Sequence, residues 1–287
     1  QPIKGHSLFA GLHVLLGRRC PLAPRLYRQK AVCQQEKAPF QSKIDLAEDV
    51  LVTFEPVPNT RTHVLTDSWF TCRRLWKKAL ERGWAITGGL KSNRNIRVFD
   101  PQLGRVYVQL SHYAASLTAA DHQLVPWPHE DGTSRMVYAH LIKTWVKNLG
   151  PCQVLVVRDR LGQPLKEVRY WATSERDADI ATVVSWAAQR WAIETFFADV
   201  KEVFGTDQYQ LRSVKGLVRF WHLAFLGYCY LEERRAALLA EGKSPDLTIG
   251  QTRCYQQKCH RRLMLDWIHD RFKQGLTPDQ VDDLLAA

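Results

Sequence analysis

Residues 62–87 restrict the fold more than any other part of the chain. Thr62-His63-Val64-Leu65-Thr66-Asp67 is β-branched and apolar enough for a short strand, and it ends in a carboxylate. Ser68 reads as the N-cap of a helix over residues 69–82, and after Gly83 the run Trp84-Ala85-Ile86-Thr87 reads as a second strand. Strand, helix and strand in so short a span make a parallel crossover unit, which calls for a sheet covered by helices. In open α/β sheets, ligands sit at the carboxyl ends of the strands, and Asp67 is placed there. On this segment alone the favoured reading of Asp67 is a simple cap for the helix that follows.

A second segment carries chemistry at helical spacing. In Arg190-Trp191-Ala192-Ile193-Glu194-Thr195-Phe196-Phe197-Ala198-Asp199-Val200-Lys201, Ile193, Phe196, Phe197 and Val200 form one apolar stripe. Arg190, Glu194 and Lys201 share a polar edge, a carboxylate between two cations, which suits holding a metal ion and gripping phosphates. The same pattern also describes an amphipathic helix with ion pairs on its solvated face.

Composition bounds the partners. With 287 residues and 45% hydrophobic content the chain can bury a full core, and charge is mixed through it rather than blocked. A net charge of +11 fits a polyanion, because Lys and Arg neutralise phosphates and release counterions. Ten Trp residues serve a core or stack on unpaired bases. Seven Cys without a signal-peptide pattern suggest reduced thiols in a cytosolic protein, and Cys254, Cys259 and His260 lack the second ligand pair that zinc requires. No apolar run approaches the ~18 residues of a membrane span.

The rest of the chain alternates in type. Residues 7–16 read as a strand, 17–19 as a turn and 22–27 as the partner strand. A helix over 40–54 is ended by Pro56 and Pro58. Lys and Arg outnumber acids over 61–105, and Lys91, Arg94 and Arg97 follow the second strand, where they would line the mouth of the sheet and hold DNA phosphates. Runs 106–110, 153–157 and 168–173 read as strands, with a turn at 158–164. One helix is expected over 177–204, a break over 205–213, a long helix over 214–236, and a small helical tail over 243–287 with Gly242 and Pro245 as hinge.

Four of these segments together resemble DDE transposases of the insertion sequence four group. They are V-L-x-D-S-W-F around Asp67, L-K-x-N-R at Leu90 to Arg94, RW-x-IE-x-FF-x-x-x-K at Arg190 to Lys201, and D-Q-Y-Q-L-R-S at Asp207 to Ser213. The family motif opens with a Tyr three residues before its Arg, a position held here by Ala187 with Trp186 beside it. The resemblance implies an RNase H-like α/β core, a mixed sheet flanked by helices. That core would occupy residues 1–95 and 173–240, with a mostly β insertion at 96–172 and a helical tail at 241–287. It also implies that Asp67 and Glu194 are two of three catalytic carboxylates and metal ligands, and that Arg190 and Lys201 contact DNA. Two Mg²⁺ ions about 3.5–4 Å apart, or Mn²⁺ in their place, would activate the attacking oxygen and stabilise the leaving one. Implied partners are the terminal inverted repeats and target DNA, with a homodimer in the full-length synaptic complex at the bacterial nucleoid. Trp127 or Trp145 in the insertion would stabilise a base flipped from the DNA end.

The family's first Asp has no counterpart here, so the expectation is an N-terminally truncated, inactive copy. A rival triad of Asp67, Asp159 and Glu194 is complete within the chain, but Asp159 opens a Gly-Pro hairpin turn rather than a strand end before a helix. Two further readings stay open: a non-catalytic DNA-binding remnant, and an RNase H-like host nuclease.

Overall fold

A computed structural model describes residues 6–129, 132–211, 213–242 and 247–286. In chain order the elements are β1 (Ser7–Phe9), β2 (Leu12–Leu15), β3 (Arg18–Pro21), β4 (Arg25–Tyr27), α1 (Lys30–Gln35), α2 (Lys43–Thr53), β5 (His63–Thr66), α3 (Arg73–Glu81) and β6 (Ala85–Leu90). There follow β7 (Asn95–Asp100), β8 (Gly104–Gln109), α4 (Leu110–Ser116), β9 (Gln123–Pro128), β10 (Ser134–Val146), β11 (Gly150–Arg158) and β12 (Arg169–Thr173). The chain closes with α5 (Ile180–Gln189), α6 (Ala192–Phe204), α7 (Val214–Ala240), α8 (Ile249–Lys273) and α9 (Pro278–Ala286). No helix among the described residues is long and apolar enough to cross a membrane.

Two compact units result. The first comprises residues up to Gly11 and Pro24–Glu194, and the second comprises Leu12–Ala23 and residues from Thr195 onward.

The first unit is built on one mixed sheet in the order β5-β6-β12-β11-β10-β7-β8, with β9 pairing β10. As the crossover reading requires, β5 and β6 are parallel, Val64 lying opposite Ile86. The later strands join antiparallel, so the β-rich stretch at 96–172 extends the same sheet. Strand β11 shows why this sheet must be covered on both faces. Val154 and Val156 enter a core shared with Leu75, Trp76 and Ala79 of α3. Leu155 and Val157 enter a second core with Val183, Val184 and Ala187 of α5. Each of these four fully buried β11 side chains contributes about 1.5–3 kcal/mol of apolar burial. The result is a helix-flanked mixed sheet compatible with an RNase H-like core.

The second unit packs around α7. Its β2–β3 hairpin lies against α7, and Phe196 packs edge-on to Tyr228 with centroids 4.9 Å apart. Glu232 is buried there, accepting the Arg19 backbone N–H at 3.0 Å and pairing with the Arg235 guanidinium at 2.7 Å.

Four expectations need correction. The helix expected over 69–82 begins at Arg73, with Cys72 rather than Ser68 as its cap, because Asp67 engages the intervening N–H groups in a turn. The single helix expected over 177–204 is two helices, with Trp191 N–H bonding back only three residues to the Ala188 carbonyl at 2.9 Å. At the N-terminus, the run 7–16 is two strands in different pairings: β1 with β4, and β2 with β3. The hairpin turns at Leu16-Gly17, both at positive φ, so Arg18 and Arg19 belong to a strand rather than a turn. Strand β10, the longest, has no counterpart in the sequence reading. Residues 1–5, Arg212 of the D-Q-Y-Q-L-R-S stretch, and Lys243 and Pro245 at the start of the tail lie outside the described residues.

Candidate functional site

Asp67 directly follows β5, and its carboxylate is fixed by its own backbone. Oδ1 accepts the N–H groups of Trp69 at 2.8 Å and Phe70 at 2.9 Å, and the Asp67 carbonyl accepts the Thr71 hydroxyl at 2.7 Å. This turn lies hard against β6. A Cβ on Gly88 would collide with the Oγ1 atoms of Thr66 and Thr71, and one on Gly89 would come within 3.1 Å of the Ser68 nitrogen. The Gly-Gly pair therefore lets the carboxylate-bearing turn sit beside its neighbouring strand.

Glu194 reaches the same place from the α5–α6 junction. It lies in the first turn of α6, where the helix N-terminus favours a negative charge. Arg190, at the C-cap of α5, donates to Glu194 Oε1 at 3.1 Å and is the more buried of the two. The break between helices turns what reads as an i,i+4 pair on one helix into a bridge across a bend.

Asp67 and Glu194 line one cleft of about 410 Å³. Its other charged lining groups are Arg190, Arg169 and Lys166, so three cations surround two acids. Burial lowers the pKa of Arg169 and Asp159 partly restores it, while Trp127 lies 4.6 Å under its guanidinium. A concave, cationic wall with two acids inside suits a phosphodiester backbone lying over a reactive centre. Lys166 and Arg169 have no sequence signal, since a short turn and β12 bring them to the cleft from the far side of the insertion.

The remaining candidates separate. Asp159 does not line the cleft; it pairs with Arg169 and, at 3.1 Å, with Arg135, so its charge is spent orienting Arg169. Lys91 lies over the Trp69 ring at 5.5 Å, Arg94 donates to the Thr71 carbonyl at 3.2 Å, and Arg97 covers the Trp145 ring at 5.0 Å. None of these three lines the cleft, although Ser92 between them does. Lys201 lies in the last turn of α6, within the second unit. Trp127 is buried against Trp171, with centroids 5.3 Å apart, which leaves no face for a base; Trp145 is partly exposed.

A two-ion site does not follow from these residues. Among the described residues no three His, Cys, Asp or Glu side chains converge in a way that could hold a metal, at this cleft or around Cys254, Cys259 and His260. Two acids face the cleft, one bound by backbone N–H groups and the other by an arginine. Strand β5 pairs with β6 on one side, and no described strand pairs with its other edge.

Residues 41–230 match the family model of the transposase DDE domain, a span that contains the whole cleft. No curated protein matches the chain.

Proposed function

The chain belongs to the DDE transposase family, and from that premise we propose that its cleft is the part of a strand-transfer site that grips DNA and supplies two of three acids. The observation that carries this reading is the shared cleft: Asp67 and Glu194, distant in sequence, face one basic concavity inside the family segment. In the complete reaction, a DDE site cleaves a phosphodiester at a transposon end and joins the freed 3′-hydroxyl to target DNA. Divalent ions, expected to be Mg²⁺, supply the Lewis acid in that reaction.

The residues of this chain have narrower roles. Arg190, Arg169 and Lys166 hold phosphate oxygens, and the Arg190–Glu194 bridge keeps the Glu194 carboxylate turned into the cleft. Asp67 is held still by its turn, so no reorganisation is needed when a phosphate arrives. Lys91, Arg94, Arg97 and Lys201 contribute to DNA binding outside the cleft lining. With two acids converging among the described residues, the chain binds DNA and cuts none; the edge of β5 that no described strand pairs is where a strand carrying a third acid would complete the site. The DNA would be terminal inverted repeats and target, paired by two copies at the bacterial nucleoid.

Binding in EDTA tests this reading without requiring turnover. Two carboxylates facing a phosphate backbone repel it, so the D67N/E194Q double variant should bind duplex DNA several-fold more tightly than the wild type. R190A and R169A should bind several-fold more weakly. Unchanged affinity in all three variants would remove DNA from this cleft.

A further inference from the structure

The three-stranded margin of the sheet, β10-β7-β8, presents an outer face unlike the rest of the first unit. Ile96 and Val146, opposite each other, point inward and are fully buried. The residues one step along each strand point outward. Trp145 and Arg97 then share a row with Tyr107, which pairs with Arg97, and Phe99 pairs with Arg105 in the next row. Phe99 is 76% exposed, Tyr107 50% and Trp145 37%, while Arg105 is exposed and Arg97 lies over the Trp145 ring.

Ordinary solvated sheet faces do not carry three large rings interleaved with two guanidinium groups. Such an array matches an unpaired nucleic acid strand: Phe99 is the diagonal neighbour of Tyr107 and of Trp145, and rings about 7–8 Å apart on such diagonals accept base faces while the arginines between them meet the phosphates. The acid at the ribbon tip does not oppose this. Asp100 Oδ1 accepts the N–H groups of Gln102 and Leu103, tying its charge into the hairpin turn. Lys143, two residues before Trp145 on the same side of β10, pairs with Asp177 at 2.9 Å, so that acid is matched by a cation as well.

We propose that the outer face of β10-β7-β8 binds single-stranded DNA, with Trp145, Tyr107 and Phe99 stacking on bases and Arg97 and Arg105 holding the phosphates. None of these residues lines the cleft. The choice of DNA over RNA rests on the transposase reading; the stacking chemistry does not. The surface fits a strand separated from its complement near the cleavage site, which a duplex, with its base faces covered, cannot satisfy.

The test is fluorescence anisotropy with a short labelled oligothymidylate, its oligouridylate counterpart and a mixed-sequence duplex. F99A/Y107A should lose about ten- to a hundredfold in affinity for oligothymidylate and stay within about twofold of the wild type on duplex. F99Y/Y107F, which keeps both rings, should bind as the wild type. Ultraviolet cross-linking of a bromouracil-substituted strand to the wild-type protein needs no variant and should mark peptides from β7, β8 or β10. Equal losses on single strand and duplex would overturn the proposal, as would cross-links confined to other peptides. So would an unchanged single-strand affinity accompanied by loss of a dimer in light scattering, which would mean that the face meets a second copy. Tighter binding of oligouridylate would transfer the face to RNA and overturn the choice of DNA. A wild type that binds duplex but not single strand sinks this inference alone; one that binds neither sinks the transposase reading with it.

Discussion

Asp67 shows how one side chain can be both a turn former and a candidate catalytic acid. Its Oδ1 satisfies two backbone N–H groups, so the carboxylate is needed for the local backbone as well as for the cleft. D67A should lower stability by about 1 kcal/mol through loss of this cap, whereas D67N keeps the acceptor oxygen and should unfold close to the wild type. Urea titration separates the two; a D67A midpoint equal to that of D67N would contradict the turn. His63, four residues earlier, links the same strand to pH. Burial lowers its pKa from 6.5 to about 4, and its Nε2 lies 2.8 Å from the Thr87 hydroxyl. In the unfolded chain His63 takes up a proton below about pH 6.5, while the folded state stays neutral until about 4. Stability is therefore full above that window and falls as pH drops through it, by on the order of 3 kcal/mol at its foot. His63→Gln should flatten that segment of the stability–pH curve; an unaltered slope would assign the acid sensitivity elsewhere.

At the scale of elements, legibility followed how local the signal was. The β5–α3–β6 crossover and the Glu194 helix stood out because β-branched runs and a 3.6-residue stripe are written in adjacent residues. The break at Arg190-Trp191 was invisible because no Gly or Pro marks it, and the apolar periodicity of α5 runs on into α6. Strand β10 escaped because His140, Lys143 and Thr144 interrupt its apolar residues; pairing with β9 and β11 on either side, not local propensity, holds it extended. The Gly-Pro turn after Asp159 already argued against it as a catalytic acid, but its partners, Arg135 and Arg169, are both brought to it by sheet pairing and have no local signal. Two substitutions test the packing inferred here. Gly88→Ala drives a methyl into the Thr66 and Thr71 hydroxyls and should cost about 1–3 kcal/mol, read as a lowered thermal midpoint. Glu232→Ala strands the Arg19 and Arg235 partners in the second unit and should cost about 3–5 kcal/mol. A shift under about 0.5 kcal/mol for either would show that the site relaxes more freely than its packing indicates.

For the whole molecule, a family fold, a net charge of +11 and a cleft holding two acids among three cations are what support the proposal that the chain grips DNA without cutting it. Its affinity for duplex should fall steeply and linearly with salt on logarithmic axes, since phosphate contacts release counterions. The measurement that meets this account most directly is incubation of the chain with supercoiled plasmid in Mg²⁺, resolved on a gel before and after protein is stripped. The account predicts a retarded plasmid that returns, once stripped, to the supercoiled position. Relaxed circles that form with the wild type and vanish with D67N or E194Q would contradict it, showing that the cleft is already a complete catalytic site.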